Sequence, residues 1–401
     1  MTVVGTALRE VFVLTGARTP RGKGSAKGAL HAIPPVKLVT HVLGALRPRL
    51  GTARVDDVIL GCATQTDEQG ANLARSATLL AGWDAHVSGL TVNRFCASGL
   101  EAVALGTSRI RAADASLIVA GGVESVSRVP TFSDRGPLYH DPEVMTAAGT
   151  IHMGVAADLV ATLENITREQ ADGYAYASRE KARLAPPSSF IVPTGALDLD
   201  ENVAYQPTLE ELHALPPSFG ELNQDAIALR HYPQLSALHH IHTRGNSPSL
   251  ADAAALVVIG DRAASENTGL APRARIIATA SCAADPVTML TAGQLAIELV
   301  LAKAGLRAAD IDVFQFAEAF GALCVKLMRD LDIGHDRLNP TGGTIARGHA
   351  YGATGAILIL EAVEELERRN ARFAIAAVSG AAGLGAAVLV ERYSIGSGGG
   401  T

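Results

Sequence analysis

Val92-Asn93-Arg94-Phe95-Cys96-Ala97-Ser98-Gly99-Leu100 joins a β-rich run to a run of helical period, with a cysteine at the turn between them. A helix N-terminus places partial positive charge at such a turn, which favours thiolate over thiol. A lone cysteine in an apolar chain is most often a buried small hydrophobe. Here Ala97, Ser98 and Gly99 leave room for a substrate, and the helix start offers N–H groups to an oxyanion, so Cys96 reads as a nucleophile. Downstream, Gly348-His349-Ala350-Tyr351-Gly352 sets an imidazole at a second such turn, after the glycine-rich Asn339-Pro340-Thr341-Gly342-Gly343. A capping histidine would not explain glycines on both sides. A base that takes the thiol proton and then polarises a thioester oxygen would.

Outward from Cys96, strands and helices alternate. Val11 to Thr15, Val58 to Leu60, Leu90 to Asn93 and Leu117 to Ala120 read as strands, the last ending in Gly121-Gly122. Val36 to Leu46, Asn72 to Leu80 and Ser98 to Ala112 read as helices. The order recurs after about residue 273, with strands at Ile276 to Thr279, Val313 to Phe316, Ala374 to Val378 and Ala386 to Val390. Helices are expected there at Val287 to Ala304, Ala322 to Leu331 and Gly352 to Arg369. This predicts an α/β layered fold around a mostly parallel sheet, duplicated at the level of element order. Residues 129–245 differ in texture, with Pro186-Pro187, Pro216-Pro217 and a capping box at Thr167-Arg168-Glu169-Gln170. An insertion of that length suggests a lid or ligand-binding subdomain.

The 401 residues are 48% hydrophobic and 18% charged, as in a folded chain with a sizeable core. A net charge of −6 without a basic stripe argues against nucleic acid. Cys62, Cys96, Cys282 and Cys324 show no C-x-x-C spacing, which argues against a metal site or disulfide framework and fits a reducing compartment. No basic-then-apolar leader and no uninterrupted apolar run of ~18 residues is seen, so the expectation is cytoplasmic, without a membrane span.

Asn93 to Ala102 resembles the nucleophile segment of thiolases, the acetyl-CoA C-acyltransferases. Gly121-Gly122-Val123-Glu124-Ser125-Val126-Ser127, Asn339 to Gly355, and Ser379 to Gly385 resemble the family's later signatures, and the similarity runs from Val11 to Arg392. Leu159 to Leu163 and His242 to Asn246 look like the degradative, fatty-acid-oxidation branch. The resemblance implies a duplicated α-β-α-β-α fold. Its N-terminal half would be 1–128, completed by about 246–272, with a loop domain at 129–245 over coenzyme A, a second half at 273–395 and a flexible tail at 396–401. It implies a homodimer or homotetramer and admits a multienzyme β-oxidation partner. Acyl-CoA and CoA enter as substrates, with no permanently bound cofactor or metal.

By the same resemblance Cys96 attacks a 3-ketoacyl thioester, His349 activates it, and a second cysteine handles the carbon-bound proton. Ser379 stands at that second position. Glu318 belongs to the catalytic set, the backbone of Cys96 and Ala381 forms an oxyanion site, and His152, Met153, Ser247 and Phe320 meet CoA or substrate.

Several positions depart from the family pattern. A serine is a far weaker acid than a thiol, so Ser379 should slow proton exchange with carbon, a contribution of ~10²–10⁴-fold. Ala317, in Ala317-Glu318-Ala319-Phe320, replaces an asparagine that holds an oxyanion-hole water, a loss of ~10²–10³-fold. Ala350 replaces a proline, Pro248 stands where a serine meets the pantetheine arm, and Ala381 replaces a glycine but keeps its donor if its φ is negative. His152 reads equally well as a surface-loop histidine. Three functions follow: a 3-ketoacyl-CoA thiolase, a thiolase-like acyltransferase or thioesterase without carbon–carbon chemistry, and a non-catalytic acyl-CoA-binding subunit.

Overall fold

The computed structural model describes residues 8–393; the segment 396–401, expected as a tail, lies outside them. Nine strands form the sheet framework: β1 Phe12–Arg18, β2 Asp57–Gly61, β3 Ser88–Val92, β4 Leu117–Ser125, β5 Ala251–Gly260, β6 Ala274–Ala283, β7 Val313–Phe316, β8 Phe373–Ser379 and β9 Leu384–Arg392. The short strand Gly22–Lys23 flanks β5. Eight longer helices accompany them: α1 Pro35–Leu50, α2 Leu73–Leu80, α3 Ser98–Arg111, α4 Met153–Leu163, α5 Arg168–Leu184, α6 Ala292–Ala304, α7 Gly321–Leu331 and α8 Tyr351–Arg369.

The strand order is β3-β2-β4-β5-β1-β6-β9-β8-β7. Only the pairs Phe12 with Arg275 and Val13 with Ala274 join β1 to β6, so two half-sheets meet at a narrow seam. Numbered within each half, the first half runs third-second-fourth-fifth-first; the second, with a third place counted after β7, runs first-fifth-fourth-second. The place of a third strand beside β7 is taken by a single bridge, Phe314 to Leu338. The expected duplication is therefore present in the topology.

A mostly parallel sheet is not what forms. Only β2–β3, β2–β4 and β7–β8 are parallel; β5, β1, β6 and β9 pair antiparallel through the middle. The reason is connectivity: β9 follows β8 through a tight turn at Gly380–Gly383, which permits only an antiparallel partner. Strand β5 is buried on both faces and lacks alternation, so pattern alone does not single it out. The helix expected from Val287 begins at Ala292, after a positive φ at Met289. Strand β4 continues through Gly121-Gly122 to Ser125.

Helices α1 and α2 cover the outer face of the first half-sheet through Leu38, Val42, Leu46, Leu73 and Ala77. Helices α6 and α7 cover the second through Ile297, Val300 and Leu327. Between the sheets lie α3 and α8, whose Leu100, Val103, Ile357 and Leu360 pack with Ile118, Val257, Val378 and Val388. Helix α8 is buried nearly all round, as a central helix must be. Residues 129–245 add helices and no strand of the sheet, α5 opening with the capping box expected at Thr167 and Gln170. The apolar stretch Pro142–Leu163 passes the length and hydropathy test for a membrane span. It is broken by a left-handed Gly149 and by the N-cap His152, and α4 is largely buried.

Candidate active site

The two turns expected to carry the chemistry lie at the N-termini of the two central helices. A Cβ at Gly99 or Gly122 would collide with the carbonyl oxygen of Gly352, so only glycine lets α3, β4 and the start of α8 meet backbone to backbone. The Cys96 turn is shaped locally. Asn93 Oδ1 accepts from the Phe95 amide at 2.8 Å, Ser98 Oγ accepts from the Arg94 amide at 2.8 Å and donates to Phe95 O at 2.6 Å, and Phe95 takes φ +48°.

Cys96 is 7% exposed and opens onto a cavity of about 280 Å³, walled by Thr131, Phe132, Tyr139, Met153, Tyr351 and Ala381 among others. Burial, then the charge of Glu124, push its thiol up to about 12. The helix start does not prevail, because desolvation of a buried thiolate outweighs the backbone N–H that favours it. In the resting enzyme Cys96 is thus a thiol, contrary to the thiolate its turn suggests.

Glu124 ties the halves together. Its carboxylate accepts from the amides of Ala63 at 2.9 Å, Thr64 at 3.2 Å and Gly352 at 3.0 Å, and from Gln69 Nε2 at 2.8 Å. A lone carboxylate inside the apolar run Leu117–Ser125 was its visible signal in sequence, though its role as a clasp was not.

His349 is held by a bridge to Leu250: its amide donates to Ser249 O at 2.8 Å, and its carbonyl accepts from the Ala251 amide at 3.1 Å. Nδ1 pairs with Thr354 Oγ1 at 2.9 Å, which orients the ring and leaves Nε2 for chemistry. Burial, then Arg21, lower its pKa to about 3, so the imidazole is neutral and able to accept a proton. The preceding residue pair is anchored by Arg347 Nη1, which meets Asp200 Oδ2 at 3.2 Å in a buried cluster with Arg18 and Arg21. No hydrogen bond joins Cys96 to His349 among the described residues, and His349 is not in the cavity wall. Tyr351 links them: its ring meets the imidazole edge-on at 5.1 Å while its side chain lines the Cys96 cavity.

Ser379 lies outside that wall. Its hydroxyl donates to Leu290 O at 2.6 Å and accepts from the Gly293 amide at 2.9 Å. Ala317 is buried in the central core and brings no polar side chain. Ala381 does reach the cavity, and its φ is not positive (the left-handed residue of that turn is Ala382, φ +55°), so its backbone N–H survives the change from glycine.

Glu318 is fully buried and saturated. It accepts from Tyr174 at 2.8 Å, Ser178 at 2.9 and 3.0 Å, Asn339 Nδ2 at 2.9 Å and the Ile345 amide at 2.9 Å. It braces the segment leading to His349 and lies apart from the cavity wall. His152 caps α4, its Nδ1 accepting from the Gly154 amide at 3.1 Å, and stacks on Phe219 at 5.3 Å. Phe320 meets Phe219 at 5.8 Å, so Phe219, which sequence reasoning missed, gathers these two expected residues. Of the four residues expected at CoA or substrate, Met153 alone lines the cavity, while Ser247 carries a buried hydroxyl without a partner among the described residues. Tyr139 and Tyr351 also went unread, since a tyrosine in a loop or after a histidine has no pattern of its own. No cluster of three His, Cys, Asp or Glu able to hold a metal occurs among the described residues.

Residues 11–224 match the model for the thiolase N-terminal domain, and residues 270–392 the model for the thiolase C-terminal domain. A 3-oxoadipyl-CoA/3-oxo-5,6-dehydrosuberyl-CoA thiolase of Escherichia coli K12 is 35% identical over 417 residues, covering 96% of this chain and 100% of the relative. The 3-ketoacyl-CoA thiolases of Salmonella typhimurium LT2 and Yersinia pestis Pestoides F are each 33% identical over 407 residues, at the same coverage. With the layered halves and the paired Cys96 and His349 turns in place, these matches make the chain a member of the thiolase family, an acyl-CoA acyltransferase.

Proposed function

We propose that the enzyme cleaves a 3-ketoacyl-CoA with CoA through an acyl-Cys96 intermediate. The observation that carries this reading is Cys96 at the wall of a small cavity, with a neutral, oriented His349 beside the same Tyr351. Substrate entry would exclude water and bring thiol and imidazole to work together. His349 takes the Cys96 proton as sulfur attacks the 3-keto carbon. The bond between C2 and C3 then breaks, and its electron pair forms the enolate of acetyl-CoA. Since Ser379 is bound elsewhere, the proton on His349 is the one at hand for that enolate. His349 then takes the thiol proton of the incoming CoA, the CoA sulfur displaces Cys96 and carries the acyl group away, and the proton returns from His349 to the Cys96 sulfur. The backbone N–H groups of Cys96 and Ala381 would receive the oxyanion, a role supported by the presence of both residues in the cavity wall.

A second reading, acyl transfer or hydrolysis without carbon–carbon cleavage, is favoured by the occupied hydroxyl of Ser379 and the apolar Ala317. Mass spectrometry separates the two. Incubation with a panel of 3-ketoacyl-CoAs and CoA should give acetyl-CoA and a chain-shortened acyl-CoA. An acyl adduct on Cys96 without acetyl-CoA would select the second reading, and neither product nor adduct would sink both. We further infer assembly as a dimer or dimer of dimers, supported by the edge of β3, which among the described residues pairs only with β2. Cytoplasmic residence is supported by four unpaired cysteines.

A further inference from the structure

Tyr139 lies on the short turn Pro137–His140, and its side chain forms part of the cavity wall shared with Cys96. Its hydroxyl is buried and has no hydrogen-bond partner among the described residues. Three other polar residues of that wall have partners. Thr131 Oγ1 and Tyr351 Oη bond each other at 3.2 Å, and Asn93 donates to Ala63 O at 2.9 Å while accepting from the Phe95 amide at 2.8 Å. The Tyr139 ring packs on Phe132 with centroids 4.1 Å apart, so the hydroxyl is carried on a braced stem. Burial, then the charge that a Cys96 thiolate would bear, raise the phenol's pKa and keep it a donor. An unpaired donor in a substrate cavity points to an acceptor on the substrate.

Among the described residues no Lys, Arg or His lines the cavity, Asp134 does, and the charge of Glu124 raises the Cys96 thiol. A carboxylate on the acyl chain would find no counter-charge there. At about 280 Å³ the space sits at the lower end of the ~300–1,000 Å³ of ordinary ligand sites, which suits a short acyl group.

We propose that Tyr139 selects acyl groups bearing an uncharged acceptor oxygen (keto, ether or hydroxyl) beyond the carbon that acylates Cys96, over plain alkyl and carboxylate-ended chains. The inference rests on acylation of Cys96 as proposed above. A plain alkyl chain leaves the phenol unpaired, and a site built for a hydrogen bond discriminates strongly against a ligand that lacks it.

The test measures Cys96 acylation by intact mass, using pentanoyl-, 4-oxopentanoyl-, hexanoyl-, 5-oxohexanoyl- and glutaryl-CoA. At least one oxo chain should react about tenfold faster than its alkyl counterpart, with glutaryl-CoA slowest. In Tyr139→Phe that ratio should fall below about threefold, the oxo rate dropping and the alkyl rate rising as the unpaired hydroxyl goes. Equal wild-type rates for oxo and alkyl chains overturn the inference while leaving acylation itself established; this comparison stands even if the variant does not fold. An equal loss on every chain in Tyr139→Phe also overturns it, since the hydroxyl would then serve the reacting carbonyl. No acylation by any probe means that the underlying reading has failed instead.

Discussion

Ser379 Oγ lies 2.6 Å from the carbonyl oxygen of Leu290, to which it donates its only proton. The amide of Gly293, 2.9 Å away on the opposite side, uses a lone pair of the same oxygen. Leu290 lies just before α6 and Gly293 in its first turn, so the hydroxyl fastens β8 to the entry of that helix and has no proton free for the cavity. Ser379→Ala leaves a buried carbonyl and a buried amide unpaired, at about 1–3 kcal/mol in all. Urea unfolding should show that loss, while the rate of acyl-Cys96 formation changes by less than threefold. A drop in acylation of tenfold or more, without loss of stability, would show Ser379 to be a chemical participant.

Glu124 holds the Cys96 thiol up by its charge and the halves together by its hydrogen bonds. Glu124→Gln removes the charge and one acceptor oxygen, leaving at least one of the Ala63, Thr64 and Gly352 amides short of a partner. Wild-type Cys96, pushed up to about 12, should be alkylated slowly by iodoacetamide at pH 7.5. The variant should react at least about fivefold faster, as a like charge is relieved, and be less stable by about 1–3 kcal/mol. Peptide mapping of the labelled cysteine checks the first effect and thermal unfolding the second.

His349 is neutral in the fold, its pKa lowered from 6.5 to about 3, so the unfolded chain binds the extra proton first. Stability from this group is whole above pH 6.5 and is lost as pH falls toward about 3, at up to about 1.4 kcal/mol per unit. His152 and His335, lowered by burial, act in the same sense. His240, whose burial is outweighed by hydrogen bonds to Asp158 and Asp225, is raised and opposes, as do Glu124 and Asp252, whose carboxyls burial raises. Asp200, where burial is outweighed by Arg18, Arg21 and Arg347, is depressed and enters only below its ordinary 3.8. Between pH 6.5 and 4.5 the urea midpoint of the wild type should therefore move downward relative to that of His349→Asn. Cys96 has the opposite sign: raised from 9.0 to about 12, it withdraws stability as pH climbs through that window.

Glu318 is expected to act on His349 through the chain between them. Glu318→Ala unpairs Tyr174, Ser178, Asn339 and the Ile345 amide together, and should cost at least about 3 kcal/mol. Glu318→Gln keeps the shape and some of the bonds, and should recover much of the stability. If Glu318 is a positioning residue, kcat follows stability across the two variants and the pH profile of acylation keeps its shape. A shifted acidic limb in Glu318→Gln would instead give this carboxylate a direct part in proton transfer.

Much of the molecule is readable in one dimension because helix and strand periods are local properties. The alternation around Cys96 locates α3 and β4, the capping box at Thr167 opens α5, and the second set of elements announces the duplicated half. Strand β5 escapes that reading because burial on both faces removes its alternation, and strand direction escapes it because pairing partners are distant in sequence.

By itself the sequence determined the order of elements apart from β5, the family, and the two turns that present Cys96 and His349. Tertiary structure alone decided their state. A thiol at about 12 and an imidazole at about 3 arise from desolvation and from Glu124 and Arg21, which no local motif contains. It also decided that the Ser379 hydroxyl is consumed by residues 89 and 86 positions away, while the Tyr139 hydroxyl is left unpaired in the cavity. The physical reason is range. Backbone pattern is written by neighbours along the chain, whereas burial, hydrogen-bond satisfaction and charge are sums over whatever the completed fold brings near.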